Sequence, residues 1–199
     1  MMNFEQAREA VRYAHSYNRA NIILDLYEQM QRSDWLRILC DEWESTDNLS
    51  TLRHRFKNAL GSQGPLLEMM TPGEQLRYDA LPLEVTVYRG CSIFDKRAGG
   101  IHGMSWTLSL EVAKKFPTLK RYMVSYPVVY RANVKKSRVL AVKLSRDEEE
   151  LITFGPYKGL QYIRIPRSPG LTVDPEEWWG KGNLFKEMMD WGRRSQTTF

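Results

Sequence analysis

In the first seventy residues apolar side chains recur at three- and four-residue steps: Val11, Ala14 and Tyr17, then Ile22, Ile23, Leu26, Tyr27 and Met30. This is the spacing of one helical face. Trp35, Leu36, Leu39 and Trp43 continue it after Ser33, the expected N-cap. A third helix is predicted from Leu52 to Leu60, between the polar stretch Ser45-Thr46-Asp47-Asn48 and Gly61. Thr71-Pro72-Gly73-Glu74 reads as a capping box with proline at the first helical position. The short helix it opens runs through Leu76, Tyr78 and Ala80 and ends at Pro82.

From Glu84 the texture changes. Val85–Tyr88, Met123–Val134, Arg138–Leu144, Glu149–Phe154 and Tyr162–Ile165 are rich in β-branched and aromatic residues and read as strands. Ser109 is placed to cap one inserted helix carrying Val112, Ala113 and Phe116. Asp174-Pro175-Glu176-Glu177 is another capping signature, and from about Asn183 a helix would carry Leu184, Met188 and Trp191 on one stripe. Docking of that stripe on the β core is the expected role, and partner binding is the alternative. The chain therefore reads as α+β, with a helical subdomain over 1–70, a β-rich core over 71–173 and a Trp-rich helical tail over 174–199.

Composition narrows the class without naming a function. A chain of 199 residues with 42% hydrophobic and 27% charged residues is that of an ordinary globular protein, neither disordered nor fibrous. The net charge of +5 is spread over Lys57, Lys114, Lys115, Lys120, Lys135, Lys136 and Arg193-Arg194. It favours acidic partners in general, and nucleic acid remains open as a weaker expectation. Cys40 and Cys91 have no Cys or His companions at metal-ligand spacing, so no metal site is expected. No run approaches the ~18 apolar residues of a membrane span, and Met-Met-Asn-Phe-Glu-Gln-Ala-Arg lacks a signal core. The expected compartment is the cytoplasm.

One stretch conflicts with its surroundings. Asp147-Glu148-Glu149-Glu150 abuts the apolar pair Leu151-Ile152. Alone it reads as a solvated hairpin turn. If the stretch from Glu148 is extended, Glu148 and Glu150 share a face and Glu149 faces away, as a spacer with no role. Two carboxylates on one face repel, which raises at least one pKa and suits acid–base chemistry or stabilisation of a cation. A one-residue slip would pair Asp147 with Glu149 instead.

Two further motifs precede the run. Tyr88-Arg89-Gly90 ends a predicted strand on a guanidinium, and Gly103-Met104-Ser105-Trp106-Thr107 puts Ser105 and Thr107 on one strand face with Trp106 on the other. Arg, then Ser-x-Thr, then Glu-x-Glu, in that order, resembles the R-S-E class of mono-ADP-ribosyltransferases, which includes small bacterial and phage members. The resemblance covers about residues 84 to 166. It implies a split, mainly antiparallel β core and NAD as co-substrate. Arg89, with Gly90, would grip the pyrophosphate, and Ser105 would hold the catalytic glutamate. Glu150 would face the developing ribosyl cation, and Glu148 would accept the proton of an incoming arginine. Ser105, Thr107, Trp106 and Phe116 would border NAD, with Trp106, Phe116 or Tyr88 as the wall for nicotinamide. The partner implied is a protein carrying a modifiable arginine, with the enzyme acting as an effector on bacterial host machinery. Sixteen positions separate Arg89 from Ser105, shorter than in the larger toxins of the class. The alternative is a catalytically silent member that works by binding a protein.

Overall fold

The computed structural model describes residues 2–47, 49–92, 102–118, 127–145 and 148–165. Among these residues the chain is α+β, with six α-helices and a six-stranded antiparallel sheet. The helical part comprises α1 (Phe4–Arg12), α2 (Ser16–Asp25), α3 (Arg32–Glu42) and α4 (Arg53–Leu60), followed by α5 (Pro72–Asp79). Asn3 and Gln6 form a capping box that starts α1. Helix α3 starts on Gln31, not Ser33, so the serine lies inside the first turn. The earlier start keeps Trp35, Leu36, Ile38 and Leu39 on a buried stripe, and the Trp35 indole donates to the Ile23 carbonyl at 2.6 Å. Helix α4 stops at Gly61 as its spacing predicts. At α5 both halves of the capping box form: the Glu74 amide donates to the Thr71 hydroxyl, and the Thr71 amide donates to the Glu74 carboxylate.

The strands are β1 (Glu84–Ser92), β2 (Ser105–Thr107), β3 (Pro127–Lys135), β4 (Val139–Lys143), β5 (Glu150–Thr153) and β6 (Lys158–Arg164). Helix α6 (Leu110–Lys115) follows β2 and is capped by Ser109, which accepts from the Val112 amide. Strand order is β4-β5-β2-β1-β3-β6. The short β2 thus joins the pair β4-β5 to β1, and Thr107 faces Tyr88 on one side and Glu150 on the other. Strand β1 runs four residues past Tyr88, because its whole length pairs with β3 from Glu84↔Lys135 to Ser92↔Pro127. Strand β6 begins at Lys158, four residues before Tyr162, through pairing with Asn133.

The core is continuous across residue 70. Trp35, Trp43, Phe56 and Met69 from the helical part belong to the same buried cluster as Val85, Val87, Leu140, Leu151 and Ile152 from the sheet. All of β4 is buried although it is a sheet edge. The segment before α5 covers it, with the Leu66 amide donating to the Leu140 carbonyl at 2.8 Å, so the edge's polar groups are not left bare. No helix among the described residues is long and apolar enough to cross a membrane. The predicted tail helix and its Asp174-Pro175 cap lie outside the described residues.

Candidate active site

Register decides which side chains meet. Because Thr107 pairs with Glu150 and Ser105 with Ile152, alternation places Ser105, Thr107 and Glu150 on one pleat face. Ser105 shares this face with Glu150, and its hydroxyl favours the ionised carboxylate. Thr107 is 6% exposed and does something else. Its hydroxyl donates to the Glu148 carbonyl at 2.6 Å and accepts from the Ser109 amide, tying the acidic turn to the end of β2.

The acidic run is not one extended strand. Strand β5 begins at Glu150, and Glu149 has φ +41°, a left-handed conformation uncommon for a residue with a side chain. Glu148 therefore precedes the strand and does not reach its position by simple alternation. It nevertheless lines the same cleft as Glu150, and its charge acts on Glu150. Glu149 turns to α5 and pairs with Arg77 at 3.2 Å. It is therefore a tether and not a bare spacer. Asp147, the other half of the slipped pair, lies outside the described residues.

Glu150 has a second partner that sequence reasoning missed. The Trp43 indole Nε1 donates to Glu150 Oε1 at 2.9 Å, and Trp43 itself is 2% exposed. Burial pushes the Glu150 carboxyl above the ordinary carboxylate value, the Ser105 and Trp43 hydrogen bonds pull it back, and the negative charges of Glu148 and Glu44 push it up again. The net direction is upward. In sequence, Trp43 is one more member of the apolar stripe of α3. The only available signal is general: a buried indole N–H needs an acceptor.

Arg89 borders the cleft from β1. Since Tyr88 pairs with Thr107, alternation puts Arg89 on the opposite pleat face from Glu150. Its Nη1 donates to the Ser105 carbonyl, and the guanidinium lies so close to Gly103 that a Cβ there would come within 2.2 Å of Cζ. A Cβ on Gly90 would come within 1.9 Å of the Ala113 carbonyl oxygen, so the aromatic-Arg-Gly glycine is what lets α6 settle on β1. That contact carries Phe116 to the cleft wall. Trp106 is 2% exposed, donates to the Gly103 carbonyl at 2.9 Å, and packs tilted against Tyr157 with ring centroids 4.5 Å apart. Its ring is therefore part of the core, as its place opposite Ser105 and Thr107 requires.

The cleft is lined by Tyr88, Arg89, Gly90, Ser105, Thr107, Ala113, Phe116, Glu148 and Glu150, with Trp106 behind them. It encloses only about 30 Å³, the room of one or two waters. Among the described residues, no group of three or more His, Cys, Asp and Glu side chains could hold a metal ion. No family model, no curated protein and no solved structure matches the chain.

Proposed function

We propose that the protein is an NAD-dependent mono-ADP-ribosyltransferase that modifies an arginine of a protein target, on an ADP-ribosyltransferase-like β core. The observation that carries this reading is the carboxylate of Glu150, held by the Trp43 indole and flanked by the Ser105 hydroxyl at a cleft it shares with Glu148. A carboxylate fixed in a partly dry site stabilises positive charge that appears only in the transition state. In the proposed reaction the bond between nicotinamide nitrogen and ribose C1 breaks, with the electron pair leaving on nicotinamide. Glu150 faces the cationic ribosyl carbon, an arginine nitrogen forms the new bond to C1, and Glu148 accepts the proton that nitrogen loses. The nicotinamide end would meet Phe116. The small enclosed volume means that the dinucleotide would lie across the open mouth of the cleft, and Arg89 would reach its phosphates by giving up its bond to the Ser105 carbonyl. The resemblance to small bacterial and phage enzymes makes an effector acting in the bacterial cytoplasm the natural setting.

Label transfer from NAD to protein in a bacterial lysate tests the reading. Glu150→Gln, folded, is expected to lose nearly all transfer, and undiminished transfer would refute the role of Glu150. A second reading has its own support: the Arg89 Nη1 bond to a backbone carbonyl and the Thr107 bond to Glu148 are commitments within the fold. They suit a catalytically silent relative that acts by binding a protein. Nicotinamide release from NAD separates the two, since the silent protein releases none.

A further inference from the structure

We infer that Trp43 is a positioning residue for Glu150, which makes the helical N-terminal part a component of the site and not an appendage to it. The inference rests on the transferase reading for its consequence in catalysis, but its structural content stands apart from that reading. A carboxylate has two oxygens and several lone-pair directions. One hydroxyl from Ser105 leaves it free to swing about its own axis. A second donor from another element removes that freedom, and the Trp43 Nε1 contact at 2.9 Å is such a donor.

The indole is itself well fixed. Trp43 lies at the C-terminal end of α3, 2% exposed, with its ring edge-on to Phe56 of α4 at 6.3 Å. Its position is therefore set by the packing of two helices, and the hydrogen bond transmits that rigidity over a separation of 107 residues to the start of β5. Other charged and polar groups facing Glu150 are Glu148, Glu44 and Ser105, while Lys143, opposite it on β4, sends its ammonium to Glu74. Of these, two repel its charge. An indole N–H is an apt choice here, because it stabilises the carboxylate without adding a full charge that would neutralise it. A lysine or arginine at this place would form an ion pair and blunt the attraction for a ribosyl cation.

The consequence for protonation has a definite sign. Hydrogen bonding to the ionised form favours that form, so removing the indole donor moves the Glu150 titration to higher pH. The acidic limb of transfer activity moves with it. Trp43→Phe is expected to lower kcat for transfer about ten- to hundredfold, the loss of one hydrogen bond to a charged group, with KM for NAD little changed.

The experiment follows Glu150 by carbon NMR of its side-chain carboxyl across pH, beside the pH profile of label transfer, in the wild-type protein and two variants. In Trp43→Phe the carboxyl titration and the acidic limb should both shift upward. In Phe56→Leu, which loosens the same aromatic pair but leaves the N–H, stability should fall while both pH responses shift by less than in Trp43→Phe. Replacement of Trp43 by benzothienylalanine, with sulfur for N–H, carries the same test if Trp43→Phe does not fold. An unchanged Glu150 titration in the folded Trp43 variant overturns the inference, even if transfer is robust. A shifted titration in a protein that never transfers ADP-ribose supports the positioning role and refutes the transferase reading.

Discussion

Lys143→Met is the most informative perturbation of the scaffold beneath the site. Lys143 stands opposite Glu150 in the β4-β5 register, yet its ammonium goes to Glu74 Oε2 at 3.3 Å, the Met69 carbonyl at 3.3 Å and Cys40 Sγ at 3.2 Å. Its side chain and that of Glu74 are 5% and 6% exposed. Breaking a buried pair by removing one partner costs about 3–5 kcal/mol, because the other charge is left uncompensated. Methionine keeps most of the volume, and Glu74 retains the Thr71 and Leu144 amides at 2.7 and 3.1 Å. These two bonds hold the expected loss to the lower end, about 3 kcal/mol.

The pH dependence makes the prediction sharper. Burial alone would raise the Glu74 pKa, but the Thr71 and Leu144 amides and the Lys143 charge together hold it below the usual carboxylate value. A depressed carboxylate contributes stability that is present above its unfolded pKa and lost as pH falls through its folded one. Without Lys143 the folded value rises, so Glu74 takes up a proton earlier on acidification and sheds the uncompensated charge. The deficit of Lys143→Met should therefore be largest near neutrality and shrink toward about pH 4. Urea unfolding followed by tryptophan fluorescence reads this, since urea adds no ionic screening. A loss below about 1 kcal/mol at neutral pH, or one independent of pH, would refute the claim that the pair is buried and charged.

Glu150→Gln should raise stability at neutral pH while abolishing transfer, because the folded Glu150 pKa lies above its ordinary value. For a carboxylate shifted upward, ionisation is the unfavourable state in the fold, so the advantage of Gln is full above the folded pKa, shrinks between it and the lower unfolded value, and is absent below both; melting curves across pH show this. Glu148→Gln should keep nicotinamide release but lose labelling of arginine, and equal loss of both would show that Glu148 acts on the glycosidic bond itself. Gly90→Ala should cost about 3 kcal/mol, the upper end for overpacking, because the 1.9 Å overlap is with a backbone carbonyl that cannot rotate aside. Thermal unfolding close to wild type would mean that α6 does not rest on Gly90.

What the sequence made legible was local. The Thr71–Glu74 capping box, the stop at Gly61 and the Ser109 cap each depend on residues within four positions, and each formed as spacing implied. That Ser105, Thr107 and Glu150 share a face follows from alternation once the register of β2 with β5 is given, and that register is not written in either segment alone. The second donor was not legible, because Trp43 reaches Glu150 across 107 positions and its spacing marks only a buried helical face. The Glu74–Lys143 pair was hidden likewise: Glu74 had already been given a complete role as a cap, and Lys143 ended an otherwise apolar strand. The start of β5 was misplaced because nothing in three identical side chains shows which one takes the left-handed turn. Arg89 was expected where the chain leaves its strand, but β1 continues to Ser92, and the face Arg89 occupies depends on the pairing of Tyr88 with Thr107.

The buried cluster that runs across residue 70 without a break has a bearing on how this chain can be dismantled or recombined. The motif-bearing stretch looks portable, as though residues 84 to 165 could be grafted onto another scaffold with their chemistry intact. Such a graft would leave β4 without its covering segment, Lys143 without its counter-charge and Glu150 without its indole, all three losses falling on the same corner of the sheet. The first eighty residues are thus heritable only together with the strands they cover, and changes on either side of that boundary would be expected to compensate one another.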